Sequence, residues 1–199
     1  MSLTPVPDHQ IATIVTHLEM RNRPRPAPLP DSPLRLVPWK SPSLAAYRAL
    51  FRRVGEPWLW FSRLVMPDES LTAIIHDPAV AIYAVIDPRG IEVGLLELDF
   101  RIAPDCELSF FGLVAELTGR GNGKWLLAQA RSLAWRKGIE RFWVHTCTLD
   151  SPAALGFYIR GGFTPFARDV EIFADPRLTG HLPRDAAPHV PLLDQPASA

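Results

Sequence analysis

The hydrophobic pattern changes period several times along the chain, and each change marks an element. Ile11, Ile14, Val15 and Leu18 repeat at helical spacing, while Ile14, Thr16 and Leu18 also suit a strand. Residues 9–20 therefore read as a strand or short helix lying on the main domain. Leu34–Trp39 is a first core strand, whose Pro38 implies an edge position or the strand's end. Residues 41–53 form a helix with Leu44, Tyr47, Leu50, Phe51 and Val54 on one face and Gly55 at its stop. A second helix over Pro57–Leu64 and a third over Glu69–His76, capped by Asp68, come next. Trp58, Trp60 and Phe61 crowd this region, either as core against a sheet or as the wall of a pocket.

Val80–Ile86 and Ile91–Phe100 predict a hairpin about Asp87-Pro88-Arg89-Gly90. Cys106–Val114 pairs next, after the Ala103-Pro104-Asp105 turn. Within it, Phe110–Val114 is an unbroken apolar run, as in a strand covered on both faces. From Lys124, the residues Leu126, Leu127, Ala130, Leu133 and Ala134 share one helical face, and Gly138 ends that helix. Arg141–Thr148 is the following strand, and a strand–helix–strand connection makes a parallel pair. Pro152 suits a helix's first turn and Ser151 its cap, with Gly161-Gly162 at the end. Residues 164–174 form a further strand carrying Asp169 and Glu171. Residues 175–199 read as a partly ordered tail in which Ala187–Leu193 can supply a last strand.

Composition narrows the classes. A chain of 199 residues suits one domain. Formal net charge is zero, so neither nucleic acid nor an anionic membrane is an expected partner. Cys106 and Cys147 both lie in predicted strands, where free thiols are common, and no metal-ligand spacing exists. No run approaches a membrane span of about 20 apolar residues, and no basic segment leads into an apolar core. A cytoplasmic enzyme is the expectation. Proline gathers in Pro24–Pro33 and from Pro176 on, which should be extended and irregular. The divisions are residues 1–33 as an N-terminal segment with a proline-rich linker, 34–174 as the domain, and 175–199 as the tail.

The candidate chemistry centres on Thr118-Gly119-Arg120-Gly121-Asn122-Gly123-Lys124, a glycine loop between strand and helix. A helix's first turn leaves backbone N–H groups without partners, and its dipole puts positive potential there. Glycines let a ligand approach the backbone, and Arg120 and Lys124 add charge. Such a loop suits a phosphate or pyrophosphate. The Walker A pattern fails at Thr118 and Trp125, and the dinucleotide pattern at Lys124, with Glu140 misplaced for a ribose contact.

The stretch resembles the coenzyme A loop of the GNAT superfamily, the acetyl-CoA-dependent N-acetyltransferases, which reads Gln/Arg-x-x-Gly-x-Gly/Ala. Gly121 and Gly123 match, and Thr118 stands where Gln or Arg is usual. A second GNAT block, Asn-x-x-Ala-x-x-Phe/Leu-Tyr-x-x-x-Gly-Phe, resembles residues 151–163. Ala154, Phe157, Tyr158, Gly162 and Phe163 match, and Ser151 replaces the Asn. The two blocks cover residues 106–174; the N-terminal third matches in element order alone. The resemblance implies an α/β fold with a mixed, mostly antiparallel central sheet, splayed at a parallel pair and flanked by helices. It implies acetyl-CoA as co-substrate, held by Thr118, Gly119, Arg120, Gly121, Asn122, Gly123, Lys124 and Ser151. Backbone groups of Leu113 and Val114 would meet the pantetheine and the thioester oxygen.

Acyl transfer to an amine also needs a proton for the leaving thiolate and a base for the amine. By its place in the second block, Tyr158 is the candidate acid. Candidate bases are Glu107, Glu97, Asp99 and His145, with Glu107 first because it begins the cofactor strand. The acceptor would be the amine of a small molecule or peptide, and the resemblance leaves room for a homodimer. A GNAT-like acyl-CoA sensor or scaffold without turnover is the alternative.

Overall fold

Burial alternates residue by residue from Ile11 to Val15, the period of a strand rather than a helix. This strand, β1 (Gln10–Met20), pairs antiparallel on both sides, with β6 (Arg141–Cys147) and with β7 (Thr164–Ala174). The computed structural model describes residues 2–193. Residues 1–33, expected ahead of the domain, therefore contain an interior strand of its sheet. Local pattern could not reveal this, because the partners of β1 lie more than 120 residues downstream.

The other strands are β2 (Arg35–Pro38), β3 (Val80–Ile86), β4 (Glu92–Asp99) and β5 (Asp105–Leu113). All seven form one sheet in the order β2-β3-β4-β5-β6-β1-β7. Pro38 ends the edge strand β2, as a residue without an N–H should. Each neighbouring pair is antiparallel except β5 and β6, the parallel pair expected from the strand–helix–strand connection.

Helices cover both faces. Phe110 packs against Phe51 and Trp60, while its neighbour Phe111 packs against Phe157 and Tyr158. Successive strand residues point to opposite faces. Thus α1 (Leu44–Gly55) lies on one side, and α5 (Ala154–Arg160), with α4 (Asn122–Ala134) before it, on the other. Gly112 permits the close approach of α1, since a Cβ there would meet Val54 Cγ1 at 2.5 Å. Ser43 caps α1, accepting the Ala46 N–H at 3.3 Å.

Several expectations change. The helix from Lys124 ends at Ala134, with Trp135 rather than Gly138 at its stop, and α5 begins at Ala154, so Ser151 does not cap it and Pro152 precedes its first turn. The single helix over Pro57–Leu64 is instead a 3-10 turn (Glu56–Trp58) and a short α2 (Ser62–Val65). Leu59 breaks it with a left-handed backbone, φ 56°, because its side chain is buried against Leu149 and Leu182. In α3 (Asp68–Ile75), Asp68 lies inside the first turn, and its carboxylate accepts from Arg48 at 2.7 Å instead of capping. The tail forms no strand over Ala187–Leu193. Residues 175–193 fold back, burying Leu182, Ala186 and Ala187 beside Ile11 and Leu59. Arg177 pins them through Asp175 at 2.7 Å and the Val190 carbonyl at 2.8 Å. Residues 194–199 of the expected tail lie outside the described residues.

Candidate active site

The β5–β6 ladder is short. It holds Asp105–Arg141, Cys106–Phe142 and Glu107–Trp143, and then stops. Beyond that point β5 stays with β4 as far as Leu113, while β6 stays with β1 as far as Cys147. The register of β4 against β5 slips between Leu98–Leu108 and Glu97–Phe110, leaving Ser109 as a bulge that bends β5 where the strands part. The gap opens into a cavity of about 850 Å³. It runs from the glycine loop, through the splay, to the opposite face of the sheet.

Backbone direction decides which groups meet a ligand in the gap. Val114 N–H donates to the Val93 carbonyl at 2.9 Å, and the Val114 carbonyl accepts from Leu117. Val114 is therefore spent on its neighbours, against the expectation that it would serve the ligand. Along an antiparallel strand these groups alternate in direction, so the N–H groups of Leu113 and Phe111 point toward the gap.

At one end of the cavity sits the loop. Gly119 and Gly121 have φ of 72° and 84°, conformations that suit glycine. A Cβ at either would meet nothing within 4 Å, so the backbone there is open to a ligand. The N–H groups of Gly119, Arg120 and Gly121 donate to no other backbone group among the described residues. Those of Asn122 and Gly123 belong to the first turn of α4, which supplies no acceptor. Five successive N–H groups thus remain for an anion. Gly123 lies beside the Phe157 ring, 3.6 Å from where its Cβ would be.

The side chains of the loop divide. Lys124 lines the cavity, but Arg120 is exposed outside it. The Asn122 amide is not free for a cofactor, since it donates to the Leu117 carbonyl at 3.1 Å and accepts from Ser32 at 3.1 Å. The Thr118 hydroxyl donates to the Ala115 carbonyl at 2.7 Å. Ser151 lines the cavity, with its hydroxyl oxygen facing the Ala153 N–H at 3.4 Å. Sequence reasoning missed Arg160, a second cation on the wall. Its signal was helical spacing, for it lies four residues after Gly156 and approaches it.

Tyr158 stands on α5 against the gap, packed edge-on to Phe111 and Phe163. It is 7% exposed and lines the cavity, and its hydroxyl bonds to no described residue. Burial, with Asp150 adding negative charge nearby, pushes the phenol well above its ordinary value. The hydroxyl therefore keeps its proton across the working pH range. Asp150 itself accepts from Thr146 at 2.6 Å and from the Cys147 N–H at 3.1 Å, shaping the turn after β6.

Among the candidate bases, Glu107 and His145 come together, with Oε1 and Nδ1 3.6 Å apart on the cavity wall. The Glu107 carboxylate holds the imidazolium and raises the His145 pKa above the usual imidazole value, against the opposing effect of burial. Glu97 is not available. It is fully buried, accepting from Tyr47 at 2.6 Å and from Arg63 at 2.7 Å. Asp99 is held by Arg101 through Nε at 2.9 Å.

No family model matches the chain, and no curated protein matches it. Solved structures do. A GCN5-related N-acetyltransferase from Sphaerobacter thermophilus aligns at TM-score 0.61 and 18% identity, over 82% of this chain and 52% of its own. Another from Kribbella flavida aligns at TM-score 0.53 and 14% identity, over 86% of this chain and 63% of its own. An aminoglycoside acetyltransferase from an uncultured soil metagenomic sample aligns at TM-score 0.52 and 18% identity, over 65% of this chain and 87% of its own. The chain thus spans little more than half the length of the first of these. With its bulged β5, its single parallel pair and the loop at the head of α4, the chain has the fold of the GCN5-related N-acetyltransferases.

Proposed function

We propose that the protein transfers an acetyl group from acetyl-CoA to the amine of a small molecule. One observation carries the reading. A single cavity joins the open N–H groups of the glycine loop, the unbonded Tyr158 hydroxyl and the Glu107–His145 pair. The loop, with Lys124 and Arg160 beside it, suits a pyrophosphate. Open space at Gly119 and Gly121 supports that fit. The Leu113 N–H is a donor for the thioester oxygen as negative charge gathers on it.

An alkyl amine with a pKa near 10 is mostly protonated at neutral pH. His145, oriented by Glu107, removes that proton directly or through water. The amine nitrogen then attacks the acetyl carbon, forming the C–N bond as the C–S bond breaks. Tyr158 gives its proton to the departing thiolate, the extra proton of the new amide restores Tyr158, and His145 releases the proton it took to solvent. The known acceptor class of a similarly folded aminoglycoside acetyltransferase supports a small molecule over a protein. The test is release of free thiol from acetyl-CoA across a panel of amines, beside calorimetry of CoA binding. Amine-dependent thiol release supports transfer. Tight CoA binding without release for any amine would leave a non-catalytic acyl-CoA binder.

A further inference from the structure

The two ends of the cavity carry opposite charge. The loop end presents Lys124, Arg160 and free N–H groups. The far end presents carboxylates, and its two arginines are already neutralised. Arg63 pairs with Glu97 at 2.7 Å and Arg101 with Asp99. Asp150 is committed to Thr146 and the Cys147 N–H, and Glu107 faces His145. Glu171 on β7 is the exception. It lines the cavity rim and has no hydrogen bond or ion pair to any described residue.

Between Glu171 and the Glu107–His145 pair the cavity wall is the apolar surface of Val15 and Cys147, which face each other across β1 and β6. Phe61 and Phe173, with rings 5.0 Å apart, close the cavity beyond Glu171, where Phe173 faces Ile11. Thr13 faces Glu171, and His17 faces His145, across β1. Glu171 thus lies four residues along and two strands across from His145, roughly 16 Å between backbones. Side chains reaching inward from both positions leave room for a chain of several carbons between their tips. Glu171 also stands among the groups that hold the His145 imidazolium, so its field reaches the catalytic end.

We infer that the acceptor is a diamine or longer polyamine: one amine is acetylated beside His145, while a second, still an ammonium, pairs with Glu171 and the carbon chain lies over Val15 and Cys147. This rests on the acetyltransfer reading and names its substrate class. An acceptor with a carboxylate at the far end finds no free cation there, and it meets Glu171 instead. A simple monoamine covers Val15 and Cys147 but leaves Glu171 without a partner.

Three probes of equal length separate the cases: hexamethylenediamine, hexylamine and ε-aminocaproate. The kcat/KM for thiol release should fall in that order, with the diamine ahead of the monoamine by about tenfold, the scale of a partly exposed charge-assisted contact. The lead should shrink as salt rises. Glu171→Gln should erase it, bringing the diamine and hexylamine to the same kcat/KM at any one pH. Equal rates for diamine and monoamine, or a preference that survives Glu171→Gln, overturn the inference and leave acetyltransfer standing. If no probe releases thiol, calorimetry of the diamine on the protein saturated with desulfo-CoA decides. Binding that Glu171→Gln abolishes supports the diamine site even as acetyltransfer fails, and no binding overturns it.

Discussion

Tyr158→Phe separates a catalytic tyrosine from a packing one. The ring touches Phe111, Phe157 and Phe163 at centroid distances of 6.1, 5.5 and 5.8 Å, and phenylalanine keeps all three contacts. The hydroxyl bonds to no described residue, so its removal breaks no hydrogen bond within the fold. Stability should therefore hold or rise slightly, whereas losing a bonded hydroxyl would cost about 0.5–1.5 kcal/mol. Turnover should fall by about 10²–10⁴, which is about 2.7–5.4 kcal/mol of barrier. The assay is steady-state thiol release with an accepted amine across pH, beside thermal unfolding and calorimetry with acetyl-CoA. Affinity should hardly change, because the pyrophosphate end is remote from the ring. The loss should also shrink for an acyl donor whose leaving group is a better anion than the CoA thiolate. A variant that turns over at the parent rate across the pH range refutes the assignment, and water then protonates the thiolate.

Other perturbations probe the rest of the site. Gly121→Val puts a Cβ into a backbone of φ 84° without a clash, so strain of about 1–2 kcal/mol should distort the loop and abolish CoA binding in a folded protein; unchanged affinity by calorimetry contradicts the phosphate reading. Because Glu107 raises the His145 pKa, the acid limb of kcat/KM should lie above about 6.5, the unperturbed imidazole value. Glu107→Gln should move that limb downward, since burial alone opposes the charged ring, and an unmoved limb removes His145 from the mechanism. The same linkage makes the pair stabilising at pH below about 6.5, with that stability lost as pH rises through the folded value. Glu97→Gln leaves the buried Arg63 charge uncompensated and should cost about 3–5 kcal/mol, lowering Tm by about 6–20 °C in differential scanning calorimetry; a shift under 2 °C would show that the pair contributes little.

The parts of the fold legible in the sequence are those set by neighbours along the chain. The hairpin about Asp87–Gly90 and the strand over 164–174 depend on turn residues and period, and both stand where the pattern puts them. The parallel pair followed from the single-helix crossover between β5 and β6, which returns the chain to the same end of the sheet. Leu59 was opaque because nothing local favours a left-handed leucine; a distant cluster with Leu149 and Leu182 holds it there. Glu97 looked like a candidate base for a similar reason. Tyr47 and Arg63, which neutralise and enclose it, arrive from elements 50 and 34 residues away. Asn122 belonged to the loop by position, yet its amide is bound to Ser32, 90 residues upstream. Glu171 was visible as an acid on a strand, but its place at a cavity rim required the pairing of β7 with β1.

The wedged position of β1 has a consequence for the order in which the chain can assemble. Residues 10–20 are made before either neighbour exists, and their contacts reach as far as His17 to Asp169, 152 residues on. Among the described residues β7 pairs with β1 alone, so the rim that carries Glu171 cannot dock until this longest loop has closed. Contacts of such high order are slow to form, and until then β1 is an apolar strand with two open edges. Gln10 faces Ala174 at the end of the β1–β7 ladder. A short turn joining those two residues, with the chain reopened inside the proline-rich segment, would make the pair a terminal hairpin. Such a circular permutant would keep the ladder and place β1 directly after β7. The late closure thus belongs to the threading of the chain, and the finished sheet does not require it.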